Sequence, residues 1–217
     1  MPSGIRDVLV VLVLYVVSWP VISGTVARLH FVWLSSGADA LPWVDQRYAD
    51  HPLLTALHLM PGLLFFAIAP LQFWPALRRT RRLHRWLGRA FMASGFLSGI
   101  GVLWMVVVFP AVGGLLTQVV TFVIVGGMLG FMAHAWRAIR ARRLAVHRAA
   151  IIRAYALGLS VSTARIVIDL AAWLWSTPFL DSFVIASALG VGVNVAVAEV
   201  ILRRPSLWLS GACGVRK

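Results

Sequence analysis

The sequence predicts an all-α polytopic transmembrane helix bundle of six spans, and three observations carry that reading. Six apolar runs long enough to cross a bilayer divide the chain; only 12% of residues are charged while 60% are hydrophobic; and arginine is gathered into two short tracts between runs. Soluble domains carry about 25% charged residues. A helix needs about 20 apolar residues to span the hydrocarbon. A net charge of +13 would point to nucleic acid in a soluble chain. Here the arginines fall between spans, where they set topology and meet anionic phospholipid head groups, so the expected partner is the bilayer and not nucleic acid.

The first span runs over Val8–Ala27. Only Arg6 supplies a cation before it, the run exceeds the ~7–15 residues of a signal core, and no A-x-A site follows, so it reads as a retained helix. Phe31–His51 is a polar loop with Asp39, Asp45 and Asp50 against Arg47. The second span, Leu53–Leu77, holds His58, Pro61, Gly62, Pro70 and Gln72, and its prolines predict a bend. Arg78–Arg89 (RRTRRLHRWLGR) follows as a loop, because guanidinium groups need water or lipid phosphate. The third span, Trp86–Phe109, carries Gly95 and Gly99. Pro110 and Gly113–Gly114 turn the chain into the fourth, Leu115–Trp136, with Gly126 and Gly130. Small residues at that spacing predict that the two glycine faces pack together. The second basic tract, Trp136–Arg153, leads to the fifth span, Ala149–Trp175. Thr177–Pro178 turns into the sixth, Phe183–Leu202. The division expected is 1–52 for the first helix and acidic loop, 53–176 for a four-helix core, and 177–217 for the sixth helix and basic tail.

Sixteen of the twenty basic residues lie on one side: six in each basic tract and four, Arg203, Arg204, Arg216 and Lys217, in the tail. The positive-inside rule assigns that side to the cytoplasm, which puts the protein in the cell inner (plasma) membrane with both termini cytoplasmic. The tracts also resemble each other. Trp74 precedes His84 by ten residues and Trp136 precedes His147 by eleven; Arg89-Ala90-Phe91 then answers to Arg153-Ala154-Tyr155. Two tandem hairpins related by duplication would produce this, and so would a chance likeness between basic tracts.

Ionisable residues within spans are costly and are functional candidates by default. On the fifth span Arg165 and Asp169 stand one turn apart and can pair. His58 and Gln118 lie at a similar depth from the outer side, which suggests an outer cluster: a binding pocket, a proton path, or an ion pair that fixes packing. Towards the basic side His84, His134 and His147 come from three helices. Neutral imidazoles on facing helices suit the axial ligation of haem b; a histidine beside arginine at a helix entrance also suits lipid phosphate. Arg85, Gly88, Arg89, Arg148 and Arg153 form the interface motif around them. No hydrolase, nucleotide or H-E-x-x-H metal signature occurs. The single cysteine, Cys213, excludes an internal disulfide.

Leu57-His58, Pro61-Gly62, Pro70-Leu71-Gln72, Leu83 to Arg89, Gly113-Gly114, His147-Arg148, Ile152 to Leu157 and Thr163-Ala164-Arg165 together resemble the bacterial membrane family catalogued as domain of unknown function twenty-three-oh-six. The resemblance covers roughly Leu53 to Asp169. It implies a multi-spanning helical protein and no established activity. Ala149-Ala150-Ile151 stands where the family pattern implies a bulkier Arg-Trp-Met, and His134 is outside the pattern. The histidine layout is similar, more loosely, to transmembrane b-type cytochromes, without a second outer histidine to pair with His58. Three functions follow: a haem b or quinone-binding electron-transfer protein on His84 and His147, a proton-coupled small-molecule carrier on His58, Arg165 and Asp169, or a lipid-contacting structural or assembly factor. A homo-oligomer is compatible with each.

Overall fold

The apolar runs form helices, and so do the basic tracts between them. The computed structural model describes residues 3–34, 43–109 and 114–204. Among these the order is α1 (Ser3–Leu34), α2 (Trp43–Asp50), α3 (Pro52–Gln72), α4 (Pro75–Arg79), α5 (Arg81–Val108), α6 (Gly114–Arg140), α7 (Leu144–Trp175) and α8 (Phe179–Arg203), with no strand. Six of them are long and apolar enough to cross a membrane. The protein is an all-α multi-pass bundle. Asp39, Pro110, Gly113, Trp208, Cys213, Arg216 and Lys217 lie outside the described residues.

The basic tracts are not the loops the sequence predicts. Arg81–Arg89 forms the first turns of α5, and the second tract is helical except at Ala141–Arg143. Arginine is a good helix former, so a transmembrane helix can simply continue past the hydrocarbon. Likewise α1 outruns Val8–Ala27 at both ends, and the expected second span breaks at Phe73–Trp74 before Pro75 starts α4. The α6–α7 turn is tight because α6 ends in a Schellman motif. Arg142 takes a left-handed φ of 57°, and the N–H groups of Arg142 and Arg143 donate to the carbonyls of Ile139 and Ala138.

α3 packs along α5 and α6 along α7, so each expected hairpin is a packed pair. α5 and α6 join the pairs on one side. On the other, α1 lies against both α3 and α7, and α8 covers the outside of α7. The core inside is aromatic: Phe65 stacks on Phe91 at 4.6 Å, and Tyr155 sits among Phe65, Phe66 and Phe73. The glycine faces do not meet as expected. Gly95 and Gly99 of α5 receive Met132, Leu129 and Met128 of α6, whereas Gly126 and Gly130 face open space. A long side chain of one helix fills the hollow of the other, which gains more dispersion contact than two bare backbones would at this helix spacing.

α1 is held by polar contacts gathered in one turn, Tyr15 to Ser18. Tyr15 donates its hydroxyl to the Ala67 carbonyl of α3 at 2.8 Å. Ser18 bonds the Leu14 carbonyl and thereby accepts from the Tyr155 hydroxyl at 2.7 Å. Ser162 donates to the Val17 carbonyl at 2.6 Å, one turn from Pro20, which lacks a backbone donor. Inside lipid such bonds hold helices together where a hydrophobic driving force is missing.

Candidate functional site

The basic end of the bundle gathers polar groups from five helices. Gln72 ends α3, Arg78 lies on α4, His84 and Gly88 on the first turns of α5, His147 and Arg148 on α7, and Asp7 on α1. The short α6–α7 turn folds His147 back onto α6, where its Nδ1 donates to the Ala135 carbonyl at 2.9 Å. That bond fixes the tautomer and leaves the lone pair on Nε2. His84 lies within electrostatic reach of both His147 and Arg78. Its Nδ1 is buried with no hydrogen-bond partner, and so is the side-chain nitrogen of Gln72. Gln72 lies against Gly88, one turn beyond His84; a Cβ there would meet its Oε1 at 3.3 Å.

Charge is crowded at this end. Burial and the neighbouring Arg148 push the Arg78 guanidinium below its ordinary range, with Asp7 acting the other way. An anionic or acceptor group would therefore be favoured here, where the Gln72 amide is a buried donor left unused and His84 Nδ1 a second buried polar atom without a partner among the described residues. Each such atom costs roughly 1–3 kcal/mol while unpaired.

The remaining predicted residues are dispersed. His134 is exposed on α6. Arg85 bonds its own helix at Arg81, Arg89 lies over the Trp86 ring at 5.1 Å, and Arg153 forms a two-point ion pair with Glu199 of α8 at 2.6 and 3.0 Å. The outer cluster is divided. His58 lies between α3 and α5 with Nδ1 2.9 Å from the Ser98 carbonyl, and Gln118 donates to the Val106 carbonyl. Arg165 rests on α1, 3.5 Å from the Pro20 carbonyl, and forms no ion pair with Asp169. The intrahelical pair fails because the guanidinium is drawn across to α1, while Asp169 faces outward. Among the described residues no group of three His, Cys, Asp or Glu side chains forms a metal site.

Sequence reasoning missed the Arg153–Glu199 pair and the Tyr155–Ser18 bond. Residues one helical turn apart leave a periodicity, but partners 46 and 137 positions apart leave none. Gln72 carried a signal, as a lone amide at a span's end.

A family model described as predicted membrane protein (DUF2306) matches residues 55–202, well over half of the chain. The chain belongs to the DUF2306 family. The DUF2306 match takes in α8 as well as the hairpins, further than the motifs quoted above reach, and leaves α1 outside. No curated protein and no solved structure matches the chain.

Proposed function

We propose that this DUF2306 protein is an electron-transfer protein of the bacterial inner membrane, in which His84 and His147 at the basic, cytoplasmic end would hold a haem b. The observation that carries this reading is the pairing of the two imidazoles. They occupy matching places in the two hairpins, lie within electrostatic reach of each other, and among the described residues make no hydrogen bond through Nε2, the nitrogen that iron takes. The donor set fits. His147 is oriented by the Ala135 carbonyl, as metal-binding histidines usually are by a second partner. Held by two imidazoles, haem b supplies one-electron chemistry.

The other residues bind and orient. The Gln72 amide and the Arg78 and Arg148 guanidinium groups stand where carboxylates of the group would neutralise crowded positive charge. Phe73, next to Gln72 in the chain, packs against the Tyr155 ring at 5.5 Å. The exposed Arg79, Arg82 and Arg85 lie outside the site and meet anionic head groups of the cytoplasmic leaflet, which fixes orientation.

The test is a reduced-minus-oxidised visible spectrum of protein purified from haem-sufficient cells. Sharp haem bands are expected in the wild type and in His134→Ala, and lost in His84→Ala and His147→Ala. A colourless wild type overturns the reading.

A further inference from the structure

At the end of the bundle away from the basic tracts, a groove opens between α3 and α5. The two helices touch at Gly101, where a Cβ would meet the His58 backbone at 3.3 Å. Beyond that contact lies a cavity of about 450 Å³, walled by Leu53, Leu54 and Leu57 of α3 and Trp104 of α5. Leu53, Leu57 and Trp104 are large apolar side chains left exposed by the fold, so the groove faces the bilayer. Pro52 to Leu57 spans roughly 7 Å along α3, which places the mouth at the helix ends and the floor a short way into the hydrocarbon. The volume lies within the range of about 300–1,000 Å³ that small ligands occupy, and the groove is too short to seat another transmembrane helix.

The mouth is polar and held in place. Asp50, the last residue of α2, and His51 line it. The His51 ring stacks at 5.1 Å on Phe109, just past the end of α5, and Tyr48 meets the same ring edge-on at 5.9 Å. The Thr55 hydroxyl of α3 donates to the Tyr48 carbonyl at 3.1 Å. α2 is thus tied to the ends of both walls, and Asp50 is fixed with it. Asp50 is exposed and, among the described residues, forms no ion pair. The segment that leads into it is acidic, with Asp39, Asp45 and Asp50 against Arg47, so this mouth draws cations whereas the basic end repels them. Beside the carboxylate, the first N–H groups of α3 have no partner within the helix, and the His51 side chain does not cap them.

We propose that this groove binds phosphatidylethanolamine. Its ammonium group meets Asp50, its phosphate the uncapped start of α3, and an acyl chain lies along Leu57 and Trp104. The head group is selected by charge and by donors. A primary ammonium offers three N–H groups to the carboxylate, in the strong, charge-assisted kind of bond; the quaternary ammonium of phosphatidylcholine offers none, and phosphatidylglycerol brings a net negative charge towards Asp50. The site is separate from the histidine pair and does not depend on a cofactor being bound there.

The test is native mass spectrometry of the full chain in mild detergent, with phosphatidylethanolamine, phosphatidylcholine and phosphatidylglycerol of matched acyl chains added in equal amounts. One lipid per chain is expected to survive detergent removal, with phosphatidylethanolamine favoured about threefold over phosphatidylcholine, as an exposed ion pair allows, and more strongly over phosphatidylglycerol. Asp50→Asn, at an exposed position, should remove the preference for phosphatidylethanolamine over phosphatidylcholine. Leu57→Trp, which fills the groove, should lose the bound lipid. Equal retention of phosphatidylethanolamine and phosphatidylcholine, preferential retention of phosphatidylglycerol, or a preference unchanged in Asp50→Asn overturns the inference, even if Leu57→Trp fails to fold.

Discussion

In the α3/α5 hairpin, Phe91 stacks on Phe65 and, seven residues on, Ser98 meets His58; both contacts stay inside the hairpin. In the α6/α7 hairpin the corresponding residues are Tyr155 and, seven residues on, Ser162, and both reach out to α1. The same outline is thus put to two uses. Two like hairpins would meet across two equivalent seams, but α1 lies along one of them, against both α3 and α7. The second hairpin carries hydroxyls where the first carries a bare ring or an internal bond, because its face of the core is shared with an added helix. In lipid, two apolar helix faces gain little by exchanging lipid for each other, so an added helix needs hydrogen bonds and close fit to stay in place.

The comparison makes its largest demand at Phe91, which is 2% exposed and, among the described residues, stacks only on Phe65 of its own hairpin. Phe91→Ala should cost about 3 kcal/mol, the low end for such a truncation because lipid solvates the unfolded reference. On the second hairpin the cost should depend on which partner is removed. Ser18→Ala strands the Tyr155 hydroxyl in the core and should cost about 1–2 kcal/mol. Tyr155→Phe leaves Ser18 bonded to Leu14 and should cost under about 1 kcal/mol. Reversible unfolding in mixed detergent and denaturant measures all three. Equal losses for Ser18→Ala and Tyr155→Phe would mean that the hydroxyl finds another partner, and that this bond does not hold α1.

The six spans were legible because hydropathy over about 20 residues does not depend on tertiary context. The helical state of the arginine tracts was not, since aversion to hydrocarbon says where a segment lies and not how its backbone folds. His84 and His147 stand at the same end, within electrostatic reach of each other, because both follow short turns. His58 and Arg165 parted from their expected partners for a different reason. Depth along a helix was readable, but the direction in which each side chain leaves it depends on which neighbour supplies a carbonyl or lacks a side chain, as Ser98 and Gly24 do.

The smallest effect tests the same contrast at the edge of the bundle. Arg89 of the first hairpin settles over Trp86 of its own helix, whereas its counterpart Arg153 pairs with Glu199 of α8. The pair looks strong, with a 2.6 Å contact and two-point geometry. Yet the two side chains are 35% and 32% exposed, so surroundings that screen their attraction also spare them most of the cost of desolvation. Glu199→Gln should then cost under about 1 kcal/mol, since the amide oxygen can still accept one bond. Arg153→Lys should cost about as much, because it keeps the charge and loses the fork. Both losses should shrink in 1 M salt, where screening acts over about 3 Å. A loss of several kcal/mol that ignores salt would instead place the pair in the hydrocarbon, and would make α8 as dependent on its ion pair as α1 is on its hydroxyls.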